Sequence, residues 1–213
     1  MRSLYNRIAG QNLERLAALC DGVFAVAMTL LVLDLRAPAA EAIHSERELL
    51  GALAGIAPRL VPYVMSFLTL GIFWLGQQAQ LDRLARSDRD LAWMHIGFLC
   101  SICLVPFSTA LLSEFLTYRV ALVVYWLNIL LMGLVLLLTW RHAVRGALLR
   151  EDATPEIVAA ICRRIMIAQS LYAIGAALCV ASTYWSIAFI VLVQINYALG
   201  LPWPLRGRST GRA

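Results

Sequence analysis

Two carboxylates, Asp21 and Asp34, bracket a run of twelve uncharged residues from Gly22 to Leu33. Arg15 precedes the first and Arg36 follows the second. If this stretch crosses a bilayer, Asp21 lies at membrane depth and Asp34 near the opposite mouth. An ionised side chain at such depth costs about 2.5–3.5 kcal/mol on insertion scales, so it faces protein or water. Asp21 with Arg15 reads either as part of a pore or packing network or as a plain interfacial ion pair. Asp34 reads either as a mouth residue that attracts cations or as an ordinary interfacial carboxylate. His95, beside Trp93 in an apolar segment, is the one group inside the candidate spans that titrates near neutral pH. It reads as a satisfied core histidine or as a proton relay.

Catalysis finds no foothold. There is no HExxH, no GxSxG and no clustered acidic pair. Cys100 and Cys103 have CxxC spacing but no nearby His or second pair, so they read as small hydrophobic core residues. Five Cys is an odd number, and at least four lie in apolar runs, which is no disulfide framework. No enzyme activity, metal or cofactor is expected.

Within the bracketed run, Val26, Leu30 and Leu33 fall at i, i+4 and i+7 and form one helical stripe, with Thr29 beside it. Taken alone, such a stripe is packing core. Repeated around an axis by several copies of the helix, it becomes a series of apolar rings. Such rings gate by dewetting, because a narrow apolar neck holds water poorly. Thr29 then offers a hydroxyl ring, Asp34 and Arg36 sit at the outer mouth, and Arg15 and Asp21 lie near the inner end.

The elements that must carry these residues are apolar helices. Of 213 residues, 61% are hydrophobic and 15% charged, against about 25% charged in a soluble domain. The chain reads as an all-α polytopic membrane protein. Its net charge of +5 does not indicate nucleic acid, because the Arg residues stand in short clusters between apolar runs. The N-terminus has no small-residue cleavage site and is not expected to be a signal peptide. Six spans are expected, at about 13–35, 60–82, 91–113, 120–141, 160–181 and 185–202, forming one domain over 1–205 with a basic tail at 206–213. Residues 36–58 form a connector whose EAIHSERELLGAL portion reads as a short amphipathic helix, and Pro58 and Pro62 sit at the start of the second span. Pro106 should kink or break the third and free a carbonyl. Thr154-Pro155-Glu156 reads as a helix start. With six spans, fourteen Arg fall on the side of both termini and four on the other, which places the termini in the cytoplasm of the cell's inner membrane.

The first stretch, R-x-x-x-L-C-D-G-V-F-A-V-A-M-T-L-L-V-L-D, resembles the signature helix of the transmembrane protein 175 family of potassium channels, R-x-x-x-F-S-D followed by an apolar run. SFLTLGIFWLGQQ resembles that family's second helix and DLAWMHIGFLCSICLVPFSTALLSEF its third, so the likeness covers about residues 13–115. The resemblance implies a homotetramer of six-helix subunits, with the first helix lining a central pore and no TVGYG selectivity loop. It implies a constriction at Val26, with Thr29, Leu30 and Leu33 as the next pore positions. It also implies that Arg15 and Asp21 are a charged pair that helps hold the helices together. Leu19 and Cys20 replace the motif Phe and Ser, and Cys is the weaker donor. Gln77-Gln78 stands where the family often has a His pair, and His95 where an Asn is expected.

The function so implied is passive, potassium-preferring conduction across the lipid bilayer. The competing reading is a proton-coupled secondary transporter, or a proton or weakly selective cation leak. Only Asp21 and His95 offer titratable groups for it, and the two halves show no inverted repeat.

Overall fold

The computed structural model describes residues 10–200. Among these residues seven α-helices run in chain order: α1 (Leu13–Leu30), α2 (Glu46–Leu81), α3 (Arg89–Cys103), α4 (Val105–Glu114), α5 (Arg119–Arg145), α6 (Pro155–Ala177) and α7 (Thr183–Leu199). Short 3₁₀ turns extend α1 over Leu31–Asp34 and α6 over Leu178–Val180. No β-strand occurs among the described residues. The tail at 206–213 lies outside them.

Among the described residues five stretches are long and apolar enough to cross a membrane: Leu13–Asp34, Glu46–Leu81, Arg89–Glu114, Arg119–Arg145 and Pro155–Val180. The protein is a multi-pass membrane protein. The 17 residues of α7 rise only about 25 Å, somewhat less than a typical hydrocarbon core.

The bundle closes on one stripe of α1. Leu16, Cys20, Phe24, Ala27 and Leu31 recur at helical spacing and are all buried. Phe24 meets Phe98 of α3, and Phe98 in turn meets Phe73 of α2. Further round, α5 packs on α3, α4 and α6, and α7 fills the gap between α6 and α2.

The second span begins earlier than the sequence pattern suggests. Rather than a separate interfacial helix followed by a span from residue 60, one helix of 36 residues starts at Glu46. The cause is a pair of side-chain caps at its start. Ser45 Oγ accepts the Glu48 amide at 3.3 Å, and the Glu48 carboxylate accepts the His44 amide at 2.7 Å. Pro58 and Pro62 therefore lie inside the helix. Each removes one backbone bond, and the helix continues through both.

Pro106 does break its span, at Leu104 between α3 and α4. The Ile102 carbonyl, which Pro106 cannot serve, takes the Leu104 amide instead. Asn128 of α5 bridges the break. With its amide nitrogen assigned toward the Ser101 carbonyl (3.0 Å), its oxygen accepts the Val105 N–H at 3.2 Å. Asn128→Leu keeps the volume and removes both bonds. We expect a loss of about 1–3 kcal/mol from orphaned backbone groups. Thermal unfolding in detergent measures it, and an unshifted midpoint would mean that the break needs no bridge.

At one end of the bundle the connections 82–88 and 146–154 pair directly. Ala85 N–H donates to the Leu148 carbonyl at 2.8 Å, and Arg150 N–H to the Arg83 carbonyl at 2.9 Å. Asp88 caps α3 through the Leu91 amide and also meets His142 Nε2 at 3.1 Å. Thr154 and Pro155 occupy the N-cap and first position of α6.

Candidate pore-lining face

α1 has two apolar stripes, and the described residues of the subunit cover one of them. Leu31 is fully buried, whereas Val26 is 57% exposed and Leu33 66%. Leu30 and Leu19 are exposed on the same side, as is Thr29. A Cβ added at Gly22 would meet nothing within 4 Å. The ridge Leu19–Val26–Leu30–Leu33 therefore stays largely uncovered by the described residues of its own chain.

Thr29 donates its hydroxyl proton to the Val26 carbonyl at 2.8 Å. With the proton committed to the backbone, the oxygen presents only its acceptor side outward. That suits a cation or a water hydrogen and gives nothing to an anion.

Asp21 is also exposed, but two side chains of α2 hold it. Trp74 Nε1 donates to Oδ1 at 2.8 Å and Gln78 Nε2 at 3.3 Å. Arg15 is not among its partners within the subunit. Six helical residues separate the two by roughly 9 Å along the axis and about 120° around it, so one chain does not bring their side chains together. The Arg15 amide is bonded to the Asn12 cap at 2.9 Å.

Cys20 and Gln77 lie on the inner side. Cys20 is buried with its thiol turned toward Gln77, whose two amide atoms are buried without a hydrogen bond of ordinary geometry. His95 is buried as well. Its Nδ1 donates to the Leu91 carbonyl at 3.0 Å, leaving Nε2 without a partner among the described residues. It is thus half satisfied, by its own helix. Cys100 and Cys103 are free and exposed, facing out from the bundle and not into the core. No group of three or more His, Cys, Asp or Glu is gathered in a metal-binding arrangement among the described residues.

At the other end of α1, Asp34 and Arg36 share a polar cavity of about 420 Å³ with Arg59, Ser113 and Glu114. Arg59 and Glu114 form an ion pair at 2.8 Å across 55 residues of sequence. The sequence offers Glu114 only as a cap on the outer face of the third span, not as the partner of Arg59, and it does not identify Trp74 as the partner of Asp21. The spacing of Trp74 and Gln78, one turn apart on α2, was the available signal.

A second polar group is wholly internal. Ser66 and Thr109 share a hydrogen bond of 2.6 Å, Thr69 meets Tyr125 at 3.2 Å, and Gln194 Nε2 donates to Thr69 at 2.7 Å. These neutral groups tie α2, α4, α5 and α7 together, with the Gln194 Oε1 left without a partner among the described residues.

Comparison with known proteins places this arrangement. The family model described as "Endosomal/lysosomal potassium channel TMEM175" matches residues 15–106. Over 189 residues the chain is 31% identical to the potassium channel Cha6605_3372 of Chamaesiphon minutus, which covers 87% of this chain and 93% of that one. Over 176 residues it is 34% identical to the potassium channel B446_29190 of Streptomyces collinus, covering 81% and 82%. The fold superposes on the crystal structure of a lysosomal potassium-selective channel TMEM175 homolog from Chamaesiphon minutus with a TM-score of 0.77. That match has 29% identity and covers 88% of this chain and 97% of the other. Likeness on this scale spans nearly the whole helical bundle, and the chain belongs to the TMEM175 family of ion channels.

Proposed function

We propose that the protein is a passive, potassium-preferring channel, built from four copies whose α1 helices surround a central pore. The relatives named as potassium channels support the activity. The observation that carries the pore is the largely uncovered ridge on α1. Val26 forms the neck, Leu30 and Leu33 form further apolar rings, and Thr29 supplies a layer of acceptor oxygens between them. Asp34 lies at the outer mouth. Asp21 strengthens the reading: an exposed carboxylate at membrane depth is costly against lipid, so that flank of α1 faces water or a neighbouring copy. Arg15, six residues away, is then available to the Asp21 of an adjacent subunit. Cys20, Gln77 and His95 lie buried on the opposite side of α1 and its neighbours, and the hydrogen bonds among the described residues do not join them to Asp21.

In this assembly α7 makes a sixth crossing, and both termini are cytoplasmic in the cell's inner membrane. The excess of Arg on that side supports the orientation. So does the direct pairing of the two Arg-bearing connections 82–88 and 146–154.

The test is potassium efflux from liposomes containing only purified protein, without an added ionophore. We expect a flux that exceeds that of protein-free liposomes and persists when the proton gradient is collapsed. Flux that appears only with a proton gradient would replace the channel by a coupled transporter, and no flux would remove the reading.

A further inference from the structure

A groove of about 280 Å³ runs along α6, where it faces α2 and α7. Its space comes from small residues: Gly76 and Ala79 on α2, and Ala160 and Ala168 on α6. Its floor is apolar in effect even where the residue types are polar. Gln169 turns its Nε2 to the Ile129 carbonyl at 3.3 Å, and its Oε1 has no exposure. The Tyr172 oxygen is likewise buried, so the groove meets ring carbons there.

Arg164 stands on the rim. Its guanidinium lies 5.7 Å from the centre of the Tyr197 ring, and no carboxylate pairs with it among the described residues. Its depth is defined by the sequence, because the charge-free run begins at the next residue, Ile165. Arg164 therefore sits where hydrocarbon gives way to headgroups. From there to Tyr172 the groove descends eight residues, roughly 12 Å into the apolar layer. An unpaired guanidinium above an apolar slot complements a phosphodiester with a hydrocarbon tail.

We propose that this groove is a binding site for an anionic glycerophospholipid of the surrounding bilayer. Its phosphate is bonded to Arg164, and one acyl chain lies along α6 toward Tyr172. The site is separate from the ridge on α1 and does not depend on which ion the channel carries.

Native mass spectrometry of the detergent-purified assembly tests it, with palmitoyl-oleoyl phosphatidylglycerol and phosphatidylcholine as probes. We expect the wild type to retain the anionic lipid about fivefold better, because both lipids carry the phosphodiester and only phosphatidylcholine offsets it with a quaternary ammonium, so the difference is one net charge beside one Arg at the headgroup level. Arg164→Gln should remove that preference, while Arg163→Gln, one position off the groove, should keep it. Gly76→Phe fills the slot and should release both lipids. A Cβ at Gly76 meets only Leu136 Cδ2 at 3.8 Å, so the backbone accepts a side chain there. Should that variant fail to assemble, Ala160→Phe blocks the same slot from α6. Equal retention of the two lipids by wild type, a preference that survives Arg164→Gln, or lipid retained with the slot filled would each overturn the proposal.

Discussion

Val26→Trp should reduce potassium flux to that of protein-free liposomes while the protein still assembles and unfolds at the same temperature. The two halves of this expectation have separate causes. Val26 is more than half exposed, so no core neighbour is displaced when the side chain grows. Changes at such positions usually alter stability within about 0.5 kcal/mol. If four copies turn this residue toward one axis, however, four indole rings fill the narrowest level. An ion there would have neither water nor a polar ligand to replace its hydration. Leu30→Trp, one turn further along, should act in the same direction. Thr29→Val is the informative contrast, since it keeps the shape and removes the acceptor oxygen. It should lower conductance without abolishing it. Flux unchanged by Val26→Trp would move the neck elsewhere or turn the ridge toward lipid.

The division between ridge and core on α1 shows what a sequence pattern resolves and what it leaves open. Leu16, Cys20, Phe24, Ala27 and Leu31 repeat with the period of a helix, and so do Val26, Leu30 and Leu33. Both sets are apolar, and both would satisfy a lipid face, a core or a neck. Periodicity identifies the helix but cannot say which stripe the neighbours cover, because that is set by Phe73 and Phe98 on other helices. It is the resemblance to the family motif, not the period, that proposes the second set as the neck. The opposite failure occurs at Ser45. Ser-x-x-Glu is a local signal, readable in four residues, yet the prolines at 58 and 62 drew the helix start downstream of it. Local capping outweighed two missing backbone bonds. The Arg59–Glu114 pair, 55 residues apart, leaves no local trace, and the Trp74–Asp21 contact leaves only the one-turn spacing of Trp74 and Gln78. Their residue types were visible and their pairing was not.

Asp21→Ala is the second large effect, and the structure changes its expected cause. The motif pairing suggests that Arg15 loses its partner. Within the subunit the groups stranded are the Trp74 indole N–H and the Gln78 amide, both on α2. Hydrogen bonds to a charged acceptor contribute about 1.5–3 kcal/mol, and a donor left facing a weakly polar medium recovers little of that. The loss should appear as a lower unfolding midpoint in detergent. Flux should fall as well, because Asp21 lies five residues from Val26 on the same rigid helix and sets its rotation against α2. Two companion variants separate the causes. Trp74→Phe keeps the ring packing and deletes only the donor, so it should reproduce most of the destabilisation if the α1–α2 anchor matters. Asp21→Asn retains an acceptor oxygen without the charge, so it should be milder than alanine on the same account. If instead Asp21→Asn is as damaging as alanine and Trp74→Phe is silent, the charge acts on a partner outside the subunit. The Arg15 of the neighbouring copy is then the group to test, by exchanging the two residues. A wild-type midpoint and wild-type flux in Asp21→Ala would deny the carboxylate either role.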